Sequence, residues 1–398
     1  MRSSRWVGAT AILLVLGCAD RGGRPARRYP PIASTPPTLQ PTSSAVAPAT
    51  VPLDLPVASP TTVSFKLGPA IEFRAGAALK PVPIAKQTAI HALSPDAKSW
   101  VIDGPNNTAL LVSPGLPQPV SQSVWVPSAR FSDDGTQVLI WSMSGLAVIE
   151  VATGKFLARR DGAICGARFS GPREIVFHEE SKEADARFWR WAPGAPQPTA
   201  LGAARKAETC QAAADGSLWL VESYAERSVI DGRTGGARVI APPDRGGSLS
   251  PGGNRVCTGD DRGLSCLRQP DQRTERVWDK PTSDFIVFDN SGSHAMISYA
   301  DGADGVRDAF ALVSFEAQTV EPLRGVKGTS GSMFALTTGA KLLTIGSGSG
   351  LWVYDLERRQ KRFAAHRPLY GNHVFPHHPR RVVAGTDEPM DLFLVDVP

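Results

Sequence analysis

No G-x-S-x-G elbow, H-E-x-x-H pair, C-x-x-C or P-loop occurs anywhere in the 398 residues. The motif-borne routes to a serine hydrolase, a zinc protease, a dithiol redox centre and a nucleotide phosphate cradle are therefore missing. No long stretch carries a clean helical period, and after Trp6–Leu16 no run is long and apolar enough to cross a membrane. Cysteine is scarce, five in all. Charge of neither sign dominates: residues 1–61, with six Arg and two Asp, hold four of the five net positive charges. A nucleic-acid binder would concentrate basic residues on its folded domain. This chain does not, and no nucleic-acid partner is expected.

What is present is a repeat. Ala129–Arg160 reads strand, turn, strand, turn, strand, turn, strand, with Ser132-Asp133-Asp134-Gly135, Ser144-Gly145 and Thr153-Gly154-Lys155 as the turns. Short apolar runs punctuated by Asp, Ser and Gly are hairpin signals, because those residues tolerate the backbone angles of tight turns. The first of these turns recurs at Leu93–Asp96, Phe169–Pro172, Ala214–Gly216, Leu249–Gly253, Phe288–Gly292, Leu336–Gly339 and Phe375–Pro379. The spacing is about 40 residues, and an apolar run follows each turn; a four-stranded unit of that length is a β-propeller blade.

These turns resemble the "SPDG" of WD40-like, TolB-type (PD40) repeats, best at Leu93-Ser94-Pro95-Asp96 and Leu249-Ser250-Pro251-Gly252-Gly253. Leu351–Leu356 resembles the "WD" end of a third strand, although the Gly-His dipeptide of strict WD40 repeats is absent. The resemblance covers residues 76–398 and implies an all-β propeller, eight four-stranded blades by the count of turns, with seven as the alternative. Leu392–Val397 aligns as a third strand, so the fourth strand of its blade is expected from Ala78–Ile84. Pro81 and Pro83 suit an outer edge there.

The N-terminus reads as an address. Arg2 and Arg5 precede a short apolar run ending at Gly17-Cys18, a signal-peptide pattern. Val15-Leu16-Gly17-Cys18 resembles the bacterial lipobox, which implies lipidation of Cys18; cleavage after Ala19 is the competing reading. The expected division is signal peptide 1–17, linker 18–61 and propeller 62–398. Arg21–Pro60 holds ten prolines among Ala, Ser and Thr, a composition that stays extended and solvated. Ala19 follows Cys18, and the lipoprotein pattern then implies the outer membrane by default.

Cys257 and Cys266 flank a hairpin centred on Asp261-Arg262 and are candidates for one disulfide. Cys165 and Cys210 stand at equivalent places before successive turns and are candidates for a second, if neighbouring inner strands come close enough. Buried free thiols are the alternative for both. His366, His373, His377 and His378 match no metal-ligand spacing, Asp301–Asp308 lacks the ligand alternation of a calcium loop, and Gly346–Gly350 reads as a hairpin turn. No metal or cofactor is expected. The basic run Arg358–Arg362 reads as a solvated turn, and most of the nine Trp as packing, with Trp189 and Trp191 partly exposed.

The expected function is a monomeric, lipid-anchored, exported propeller that serves as a non-catalytic platform for protein partners. The alternatives are a hydrolase or lyase and a small-ligand sensor. Asp96, Asp133, Asp134 and Asp215 converging on one channel mouth would favour an enzyme.

Overall fold

The computed structural model describes residues 63–86, 90–124, 127–180, 187–202, 207, 209–223, 226–241, 247–269, 273–301, 309–326, 332–347, 350–365, 369–375, 378–386 and 391–398. The signal-peptide and linker assignments, Cys18, Trp125, His366 and His377 lie outside them. A 3-10 turn at Thr338–Ala340 is the one helical element among the described residues, and no helix there is long and apolar enough to cross a membrane.

Among the described residues the strands form eight sheets, taken in chain order. Sheet 1 begins at Ile90–Leu93, sheet 2 at Ser128–Phe131, sheet 3 at Ala163–Gly171 and sheet 4 at Thr209–Ala212. Sheet 5 begins at Ser248–Leu249, sheet 6 at Thr282–Phe288, sheet 7 at Met333–Leu336 and sheet 8 at Leu369–Phe375. Within each, four strands run antiparallel, each hydrogen-bonded to the one before it. The fold is an all-β propeller.

The described residues share no single core. Apolar clusters lie between neighbouring sheets instead, because each sheet has two apolar faces and must bury both. Val101, Leu111, Val138 and Ile140 join sheets 1 and 2, and Leu139, Leu146, Ile175 and Phe177 join sheets 2 and 3. Val176, Phe188, Trp219 and Val221 join sheets 3 and 4. The series continues round to Ile90 and Val383, which pack sheet 8 against sheet 1.

The last sheet takes its fourth strand from the N-terminal side: Val82–Lys86 pairs antiparallel with Asp391–Asp396, Phe393 opposite Pro83. The expected segment, Ala78–Ile84, is displaced a few residues towards the C-terminus. A longer strap lies just upstream. Val63–Ser64 adds parallel to the outer strand of sheet 5, Lys66–Leu67 and Ile71–Glu72 to that of sheet 6, and Arg74–Ala75 to that of sheet 7. Its apolar side chains drop into successive intersheet clusters: Phe65 between sheets 5 and 6, Ile71 and Phe73 between 6 and 7, Leu79 between 7 and 8. Phe65 meets Phe315 edge-on at 6.0 Å and Phe73 meets Tyr354 at 5.0 Å. The strap covers three sheet edges that would otherwise present unpaired backbone.

The recurring turn has one construction. In sheet 2 the Gly135 amide donates to the Ser132 carbonyl at 2.9 Å, and the Gln137 amide donates to Ser132 Oγ at 3.0 Å. Ser132 Oγ in turn donates to Asp134 Oδ1 at 2.6 Å. Ser94 with Asp96 and Ser250 with Asn254 repeat the arrangement. The fourth position is left-handed, occupied by glycine at Gly135, Gly253 and Gly292 (φ 71°, 68° and 71°) but by alanine at Ala97 (φ 59°). A left-handed alanine costs about 1–2 kcal/mol, partly offset by the greater chain entropy of glycine when unfolded. Ala97→Gly is therefore expected to stabilise the protein by about 0.5–1 kcal/mol, read as a raised urea midpoint. A lowered midpoint would contradict it.

Candidate functional site

The turns of sheets 2, 3 and 4 border a cavity of about 530 Å³. Asp133, Asp134 and Asp215 line it, and so do Arg130, Arg190, Arg233 and Glu174. Asp96, the fourth carboxylate expected there, is not among its lining residues.

Two of these carboxylates are committed to their turns. Asp134 accepts from Ser132 Oγ, the Thr136 amide and Thr136 Oγ1. Asp215 accepts from the Ser217 amide at 3.0 Å and Ser217 Oγ at 2.6 Å. The hydroxyl of Ser132, then the Thr136 amide, hold the Asp134 carboxyl below the usual carboxylate range, and Ser94 and the Lys98 amide do the same for Asp96. A general acid needs the opposite shift, a raised pKa. Glu180, at the other end of its strand from the turn, is pushed up by burial, but it does not line this cavity.

The cations behave differently. Ala129-Arg130-Phe131-Ser132 in sheet 2 recurs as Ala167-Arg168-Phe169-Ser170 in sheet 3. In both, the aromatic is buried between sheets 2 and 3 or 1 and 2, and the arginine before it takes the alternate side of the innermost strand. Burial pulls the Arg130 guanidinium down while Asp133 and Asp215 hold it up. Burial, then the like charge of Arg130, pulls Arg168 down to about 9. At about 9, Arg168 stays protonated at neutral pH. Arg168 Nη1 donates to the Ala167 carbonyl at 2.7 Å, its guanidinium lies 5.4 Å from the Trp141 ring, and its buried Nε has no hydrogen-bond acceptor among the described residues. A desolvated guanidinium with a donor left over favours an anion beside it. The doubled Ala-Arg-Phe-Ser was the sequence signal for this pair, and composition alone gives no reason to single it out.

The cysteines sit in the same part of the ring and one sheet beyond. Cys257 and Cys266 oppose each other across neighbouring strands of sheet 5, Sγ–Sγ 2.02 Å. Cys165 and Cys210 join the innermost strands of sheets 3 and 4, Cα–Cα 5.8 Å. Close approach of those strands depends on Gly166, where a Cβ would come within 2.9 Å of the Trp219 ring. Trp191 is buried, and Trp189 is half-buried with the Arg160 guanidinium 4.8 Å from its ring. Ser347 pairs with Gly350, as the hairpin reading of that glycine run requires. In the basic run, Arg358 bonds to Asp355 and Lys361 lies 4.1 Å over Trp352. The side chain of His373 lies outside the described residues, and His378 is half-buried in its strand.

No family model and no curated protein matches this sequence. Among solved structures, the chain is similar to the dihydro-heme d1 dehydrogenase NirN in complex with DHE: TM-score 0.53, 16% identity, 82% of this chain and 79% of that one. It is also similar to the β-propeller domain of Cps50 (Swd1) from Myceliophteria thermophila, with TM-score 0.47, 11% identity, and 80% and 98% of the two chains covered. For the tricorn protease the TM-score is 0.49 at 10% identity, over 75% of this chain and 37% of that one. At these identities the likeness is one of fold: the chain is a β-propeller.

Proposed function

We propose that this chain is an exported β-propeller of the WD40-like, TolB-type kind, which serves as a non-catalytic platform for a protein partner. In this reading residues 1–17 are a lipoprotein signal, Cys18 carries the lipid, residues 18–61 are the tether and the outer membrane is the destination. The observation that carries it is the division of labour on the turn face. Asp134 and Asp215 accept hydrogen bonds within their own turns, whereas Arg130 lines the cavity and the half-buried Arg168 keeps an Nε with no acceptor among the described residues. Such a face suits the acidic side chains of a partner, since buried arginines gain most from a carboxylate that replaces lost water.

Crosslinking and pull-down from intact cell envelope tests this, with Arg130→Glu/Arg168→Glu and Cys18→Ala run beside the unmodified chain. One defined partner is expected, lost with the arginine reversal and depleted when the anchor residue is removed. If the arginine reversal leaves the captured set unchanged and Cys18→Ala alters neither localisation nor partners, the platform reading fails.

A further inference from the structure

The disulfide between sheets 3 and 4 has a third group beside it. The Sγ atoms of Cys165 and Cys210 and a ring nitrogen of His178 all lie within 4.8 Å of one another. Each is brought there by a specific feature of the backbone. In the pairing of Ala163–Gly171 with Glu174–Glu180, Ile164 opposes Glu179 and Gly166 opposes His178, so Cys165 is the extra residue of a β-bulge. A bulge re-aims the side chain it carries. Gly166, which lacks a side chain, lets the neighbouring inner strand bring up Cys210, whose Cβ lies 3.4 Å from where a Gly166 Cβ would be. His178 is fully buried, its ring 4.7 Å from that of Phe188. Val176, Phe188, Trp219 and Val221 belong to the apolar cluster around the cysteines.

We propose that Cys165, Cys210 and His178 are a latent zinc site, closed while the disulfide stands and opened when a thiol reduces it. The bond balance is simple. Two thiol molecules leave as one disulfide, their two electrons cleave the Sγ–Sγ bond, and two cysteine thiols result. Zn²⁺ then replaces the two thiol protons, which pass to solvent. Two thiolates and one imidazole are soft and borderline donors of the kind zinc takes. The charges also favour a divalent ion over a monovalent one. Two thiolates with a divalent ion are neutral, and an apolar shell penalises any net charge left inside it. Three protein donors leave the fourth position of a tetrahedral ion open, the pattern of a reactive rather than a purely structural zinc.

The test uses the full-length chain, reduced anaerobically with dithiothreitol, desalted, and titrated with Zn²⁺ against a chromophoric zinc chelator. One zinc per reduced chain is expected, with proton release on binding, and none in the oxidised chain. Cys165→Ser is expected to weaken binding by at least about 100-fold, and His178→Gln by about 10- to 100-fold or more, since even groups behind the ligands contribute that much. Zinc uptake that is the same before and after reduction, or the same in Cys165→Ser, would overturn the proposal. Should the serine variant fail to fold, X-ray absorption at the zinc edge of the unmodified reduced chain decides. Two sulfurs and a nitrogen in the first shell support the site; three or four sulfurs overturn it.

Discussion

Deletion of residues 63–86 is expected to abolish cooperative folding and to leave an aggregating product. Two losses combine. Phe65, Ile71, Phe73 and Leu79 leave three intersheet clusters, and at about 2–3 kcal/mol for each large apolar side chain the sum approaches 10 kcal/mol. Whole domains are stable by only about 5–15 kcal/mol. The second loss is the partner of Asp391–Asp396, whose edge would be open to pairing with another molecule. Phe73→Ala separates the two effects, because it removes one plug and keeps the closing strand. It is expected to cost about 2–3 kcal/mol, measured by urea unfolding followed through tryptophan fluorescence. A deleted chain that unfolds at the unmodified midpoint would show that the strap contributes nothing.

The second large effect concerns a buried charge pair in sheet 5. Arg255 Nε donates to Glu275 Oε2 at 2.8 Å, with side-chain exposures of 12% and 2%, and the guanidinium lies 4.5 Å from the Phe315 ring of sheet 6. Arg255→Met leaves the Glu275 carboxylate inside the protein without its counter-charge, which costs about 3–5 kcal/mol. Arg255→Met/Glu275→Leu replaces both groups by apolar ones of similar size and is expected to regain most of that loss, since a buried pair itself contributes little net stability. The check is a double-mutant cycle in urea. If the double variant is as unstable as the sum of the single ones, the pair is not coupled and the argument fails.

Much of the propeller was legible in one sequence because its determinants are local. A turn such as Ser132–Gly135 is built from a hydroxyl, a carboxylate and a glycine within a few residues, so its chemistry is printed in the chain each time it recurs. The hairpin that places Cys257 opposite Cys266 is local in the same sense. The strap is different. Ile71-Glu72-Phe73-Arg74 does alternate apolar and polar residues, but such a short alternation names no partner. Its pairing with strands some 250 to 290 residues away is settled only when the ring exists.

The same physical distinction runs through the candidate sites. Sequence by itself determined the repeat, its turn chemistry, the all-β class and the closing of the last sheet by a strand from upstream, since each follows from spacing and residue type. Tertiary structure alone decided which turns share one cavity, with Asp133, Asp134 and Asp215 lining it and Asp96 outside, because that depends on how sheets 2, 3 and 4 stand together. It also decided that Arg168 lies where burial pulls its guanidinium down, and that a bulge and a glycine gather Cys165, Cys210 and His178. Charge and ligand strength depend on burial and on distance between strands of different sheets, and neither quantity is written in the order of residues.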